Sequence, residues 1–198
     1  MAKLTVIRWV VAACLSWGLA CHSTAASPAL VQAARAQVGK TLIYDPRYQS
    51  LTYPNGDVPI LQGVCTDVVI RALRHAYKVD LQQQVHEDMR QRWATYPKLW
   101  GSNGPDANID HRRVPNLQVF FQHKGMALPV GEQNADYQAG DIVTVRLANG
   151  RPHIMLVSDR KSASGRPLVI HNIGFGAREE DYLFQDTITG HYRWRLAR

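Results

Sequence analysis

Apolar positions along the chain change period between its two halves. From residue 65 to residue 124 they recur every three or four residues, and from residue 142 onward they alternate. Ser27-Pro28 reads as a helix cap followed by proline at the first helical position, predicting a short helix to about Val38 that Gly39 ends. Residues 40–63 carry Pro46, Pro54, Gly56, Pro59 and Gly63 and read as a surface loop with a tight turn at Asn55-Gly56. The clearest helix covers 65–78: Val68, Val69, Ala72, Leu73, Ala76 and Tyr77 share one face, and Arg71, Arg74, His75 and Lys78 fill the other. Asp80 caps a further helix in which Leu81, Val85, Met89 and Trp93 repeat. Residues 95–113 read as a long polar loop, and Pro115 to Lys124 as another helix stopped by Gly125. Strands are expected at 142–147, 153–159, 168–172 and 191–196. Helices first and strands after predict an α+β domain with an antiparallel sheet.

The first residues stand apart from this pattern. Lys3 and Arg8 precede a 13-residue apolar or small stretch, Trp9 to Cys21, and Ser23-Thr24-Ala25 follows. This reads as a secretory signal over residues 1–25, cut near Ala25 or Ala26, leaving 26–198 as one domain. The stretch is too short to span a bilayer. An uncleaved anchor and a lipoprotein acylated at Cys21 are the alternatives, the latter opposed by Gly18 where a large aliphatic residue is usual. Export places the domain in the periplasm or outside the cell. Hydrophobic residues make up 45% of the chain, which suits a globular core and argues against collagen, coiled coil or long disorder. Losing Lys3 and Arg8 takes the formal charge from +7 to +5. A basic exported domain favours anionic cell-envelope polymers over nucleic acid, although charge can also serve solubility alone.

Cleavage removes Cys14 and Cys21 and leaves Cys65 alone. A lone thiol in an oxidising compartment is either a nucleophile or a small buried hydrophobe. Cys65 stands where loop turns to helix, just after Gly63. There the helix dipole and free amides favour thiolate and can hold an oxyanion, so the thiol is expected to be partly accessible with a pKa below that of a free thiol. Asp67 in the same turn is a capping or substrate-binding group. A thiol needs a base. His153 opens one expected strand and His171 closes the next, around the turn-like Ser162-Ala163-Ser164-Gly165. A symmetric hairpin places the two histidines directly opposite on one face, one to take the thiol proton and one to orient it. A one-residue slip would separate them and bring in Asn172 instead.

At these residues the chain resembles a known group. Gly63-Val64-Cys65-Thr66-Asp67-Val68-Val69, Gly140-Asp141-Ile142-Val143, His153-Ile154-Met155-Leu156-Val157 and Val169-Ile170-His171 resemble, in order and spacing, motifs of NlpC-type papain-like cell-wall peptidases. Thr66 and Asp67 stand where those enzymes usually have serine and glycine. Cys65-Thr66-Asp67-Val68-Val69, the run from Asn108 to Leu117, and His171-Asn172-Ile173-Gly174 resemble the DUF1287 family of exported bacterial proteins over nearly all the mature chain. The resemblance implies a papain-like α+β fold and peptidase or amidase chemistry on peptidoglycan peptides, with Cys65, His153 and His171 catalytic. It implies no cofactor. Tyr44 corresponds loosely to an aromatic residue those enzymes carry nearer to the cysteine.

Asp110-His111-Arg112-Arg113 is either a carboxylate-reading loop or an internally salt-bridged one. His75, His86 and His123 fall on solvated helix faces, and Trp93, Tyr96 and Trp100 read as rim packing. Two rival classes stay open. One is a metal hydrolase using His153, His171, His191 and Asp159, for which no HExxH pattern is present. The other is a non-catalytic envelope-binding module. A monomer is expected in each case.

Overall fold

The computed structural model describes residues 28–195, so the expected export signal, with Cys14 and Cys21, lies outside the described residues. The architecture is mixed α+β. Four helices, α1 (Pro28–Arg35), α2 (Cys65–Tyr77), α3 (Leu81–Arg92) and α4 (Val114–His123), accompany a two-residue parallel pair, β1 (Ile43–Tyr44) with β2 (Gln62–Gly63), and a six-stranded sheet. The sheet strands are β3 (Ala127–Leu128), β4 (Ile142–Arg146), β5 (Pro152–Lys161), β6 (Pro167–Asn172), β7 (Ala177–Glu180) and β8 (Thr187–Tyr192). Their order is β3-β8-β4-β5-β6-β7, antiparallel throughout. Among the described residues no helix is long and apolar enough to cross a membrane.

Local chemistry sets the helix ends. Asp67 accepts the Val64 N–H at 2.7 Å and so closes the first turn of α2, and Lys78 ends that helix in a left-handed conformation. Asp80 accepts the Gln82 N–H and caps α3. Residues 65–73 of α2 are all buried. Arg71, placed on the polar face by its spacing, is among them at 1% exposed. Its guanidinium binds Asp57, the carbonyls of Val58 and Gln62, and the Thr41 hydroxyl. A buried cation held this way pins the loop that leads into Cys65.

Alternation along the strands gives the sheet two apolar faces. Ile142, Ile154, Leu156 and Ile170 pack on the helices, and Val143, Val145, Met155, Val157 and Val169 pack under Tyr137 and Leu183. The last strand runs 187–192 rather than 191–196. Just beyond Tyr192 the Arg193 N–H still bonds the Met126 carbonyl, and the Arg193 guanidinium pairs with Asp141 at 2.6 and 2.8 Å. The β5–β6 pairing, Leu156↔Ile170 and Val157↔Val169, differs by two residues from a symmetric hairpin, with an irregularity between Val157 and Lys161. A two-residue shift preserves faces, so His153 and His171 still share one.

Candidate active site

Cys65 is the first residue of α2, where the backbone N–H groups of Cys65 and Thr66 favour its thiolate. The Ile154 N–H also favours the thiolate, which places the thiol near the start of β5, one residue from His153 in sequence. Cys65 is only 5% exposed, contrary to the expected partial accessibility. Burial pushes the thiol up to about 12, against the amides that favour the thiolate and with the Asp67 charge adding to the rise. The resting sulfur is therefore a neutral thiol.

A row of hydrogen bonds crosses the neighbouring strands. His153 Nε2 lies 2.8 Å from His171 Nδ1, and His171 Nε2 lies 2.8 Å from Glu180 Oε1. Glu180 can only accept, so His171 carries its proton on Nε2 and accepts at Nδ1. His153 must then donate from Nε2, which leaves its Nδ1 bare. That nitrogen makes no hydrogen bond among the described residues. Burial lowers His153 to about 3, helped by the His171 charge. Burial also lowers His171, opposed by Glu180. Both imidazoles are neutral at rest, and Tyr182 stacks on His171 at 5.0 Å. The three residues occupy the sheet face opposite Ile154 and Leu156, whereas Cys65 packs with those two on the helix side, and no hydrogen bond joins its sulfur to His153 among the described residues. Asn172 does not orient a histidine. Its Nδ2 donates to the Gly63 carbonyl at 3.0 Å and ties β6 to the segment before the cysteine.

Cys65 opens onto a cavity of about 320 Å³ that Tyr44, Trp100, Arg112, Arg113 and Pro152 also line. The β1–β2 pairing brings Tyr44 level with Gly63. Burial and the nearby Cys65 raise the Tyr44 phenol to about 12, and its hydroxyl has no hydrogen-bond partner among the described residues. Asp67 serves as cap and as the partner of Arg112, which binds it through Nε at 3.0 Å and Nη2 at 2.9 Å.

The 110–113 run divides in two. Asp110 and His111 are buried behind the cavity wall and do not line it. Asp110 accepts the Asp106 N–H at 2.7 Å and pairs with His86 at 3.2 Å, and burial raises its carboxyl. Burial lowers His111 to about 4. The expected polar loop is thus partly internal, with Asp110 paired to His86 and Arg112 to Asp67, while Asp110 Oδ1 and His111 Nδ1 are buried without a hydrogen-bond partner among the described residues. His86 and His123, placed on solvated faces by spacing, are bonded to Asp110 and Asp88, while His75 is exposed. Tyr96 is buried and donates to Asp88 at 2.6 Å. Trp100 is 59% exposed at the cavity rim.

The residues of the metal alternative do not converge. His191 bonds Asp141 and the Pro129 carbonyl, and Asp159 bonds Arg35. Among the described residues no group of three or more His, Cys, Asp or Glu side chains is arranged to hold a metal ion. Sequence reasoning missed Glu180, Arg71 and the cavity position of Trp100. The run Arg178-Glu179-Glu180 carries no apolar alternation to mark a strand.

Residues 31–194 match the family described as "Domain of unknown function (DUF1287)". Over 166 residues, 84% of this chain and 80% of the relative, the sequence is 57% identical to the "Uncharacterized protein YijF" of Escherichia coli (strain K12). The chain belongs to the DUF1287 family.

Proposed function

We propose that this protein is an exported cysteine hydrolase with a papain-like site, a peptidase or amidase acting on peptide bonds of the bacterial cell wall. The observation that carries the reading is the row His153–His171–Glu180, which ends in a bare, neutral nitrogen one residue in sequence from Ile154, whose amide favours the Cys65 thiolate. In the reaction, His153 Nδ1 takes the thiol proton as the sulfur attacks the substrate carbonyl. Starting from a neutral pair costs nothing in buried charge before substrate arrives, and attack and proton transfer proceed together. The carbonyl oxygen becomes an oxyanion that the Cys65 N–H and the unpartnered Tyr44 hydroxyl can stabilise. His153 returns the proton to the departing amine, and water then cleaves the thioester with His153 again as base. His171 and Glu180 hold the imidazole in the required tautomer.

The test is digestion of purified cell wall, with products identified by mass. Wild type should release fragments with new amine and carboxyl ends. Cys65→Ser and thiol-alkylated protein should release none, and chelator should change nothing. Activity that survives alkylation but not chelation would establish the metal reading. Cell-wall binding with no cleavage would establish a binding module in which Cys65 is a packing residue.

A further inference from the structure

We propose that the cavity over Cys65 contains a carboxylate subsite built on Arg113, a specificity site that rests on the cysteine-hydrolase reading above. The residues lining that cavity include two arginines and no acid. Arg112 already holds Asp67 in a two-point pair, yet its remaining nitrogen, Nη1, is buried with no hydrogen-bond partner in the structure. Arg113 has no carboxylate partner among the described residues, and it lines the cavity beside Cys65. Its guanidinium lies over the Trp100 ring, 4.6 Å from the centroid.

These features suit a planar anion. Stacking on an aromatic face holds the guanidinium plane and leaves its N–H edge free, and that edge matches the two oxygens of a carboxylate. The backbone of Arg113 is fixed as the N-cap of α4, with Pro115 close behind, so the side chain starts from a rigid base. The orphaned Arg112 Nη1 leaves an unused N–H donor on the residue next to Arg113, while the Arg112 charge itself is paired with Asp67. A substrate carrying a carboxylate near the bond to be cut would be drawn in and oriented over the thiol, and its amidated analogue would not.

The test needs no natural substrate. Iodoacetate and iodoacetamide alkylate a thiolate by the same chemistry and differ by one negative charge, so the ratio of their rates cancels any change in thiol ionisation. Cys65 modification in the full folded protein is followed by mass, with glutathione as the free-thiol reference. Wild type should favour iodoacetate relative to glutathione, and added salt should reduce that preference. Arg113→Gln should lower the ratio about fivefold, the effect of one half-exposed charge pair. Arg113→Lys, which keeps charge but loses the fork and the stack, should fall between. Equal ratios in wild type and Arg113→Gln would overturn the subsite and leave the hydrolase intact. A Cys65 that resists both reagents when folded and takes both when unfolded would overturn the hydrolase reading, and the subsite with it.

Discussion

Two histidine–carboxylate networks sit in the same sheet, and they end differently. On β8, His191 meets Asp141 at 2.8 Å through Nε2 and the Pro129 carbonyl at 3.0 Å through Nδ1, and Asp141 also takes the Arg193 guanidinium and the Gln138 N–H. Both ring nitrogens are occupied, so the network is a closed clamp between the strand and the turn before β4. On β6, His171 is likewise bound to a carboxylate, but its second nitrogen passes the polarity on to His153, whose own Nδ1 is unoccupied. A carboxylate partner is thus common to both networks, and the proposed role of His153 as base rests on the unused nitrogen at the end of the β6 row.

Substitution should separate the two networks most sharply at their histidines. His153→Ala should reduce turnover on cell-wall substrate about 100- to 10,000-fold per folded molecule, with a stability loss of about 1–3 kcal/mol because buried His171 loses its donor. In His191→Ala turnover per folded molecule should hold, and stability should fall by about 1–3 kcal/mol because a buried acceptor loses its donor. A turnover collapse in a well-folded His191→Ala would break the comparison.

Next in size is His171. His171→Ala should leave a measurable remnant, and His171→Asn should recover part of the loss, because an amide oxygen can accept the His153 Nε2–H. Kinetics of the three proteins decide this, and a His171→Asn no better than alanine would contradict an orienting role. Smaller still is Glu180, which is partly exposed. Glu180→Ala should cost on the order of tenfold, the scale of an outer partner that orients a histidine, and Glu180→Gln should restore most of it.

The smallest effect is in the stability of the whole chain against pH. Burial holds His153 at about 3, His111 at about 4 and His171 below its ordinary 6.5. Below about pH 6.5 the unfolded chain binds protons that the folded chain refuses. The stabilisation from these neutral imidazoles is complete above that pH and is lost progressively as pH falls through 4 toward 3. Thermal unfolding between pH 7 and pH 4 should show a falling Tm, shallower in His111→Leu if that variant folds.

Much of this contrast is legible in the chain. The helix opening at Cys65, the Asp80 cap, three of the four expected strands and the shared face of His153 and His171 follow from periodicity and turn residues. The hairpin register was two residues off, but parity rather than register decides the face, so the pairing of the histidines survived. Two kinds of feature stayed hidden. Arg71, Asp110 and Arg112 look solvated one at a time and are buried because distant residues supply their partners, as with Arg71–Asp57, Asp110–His86 and Arg112–Asp67. Glu180 lies on a four-residue strand whose pairing with β6 supplies the order that its composition lacks. The burial of Cys65 is not legible in its helix terminus alone, because it comes from packing against β5 at Ile154 and Leu156.

The protonation pattern of His153 tests the central claim most directly. Nitrogen-15 NMR of the imidazoles, with the His153 signals assigned by their loss in His153→Ala, reports which ring nitrogen carries the proton. The account predicts a neutral ring protonated on Nε2, with Nδ1 bare, at neutral pH and still so at about pH 5. A proton on Nδ1, or an imidazolium already formed at about pH 6, would mean that the row does not end in a base, and Cys65 would have no partner to take its proton.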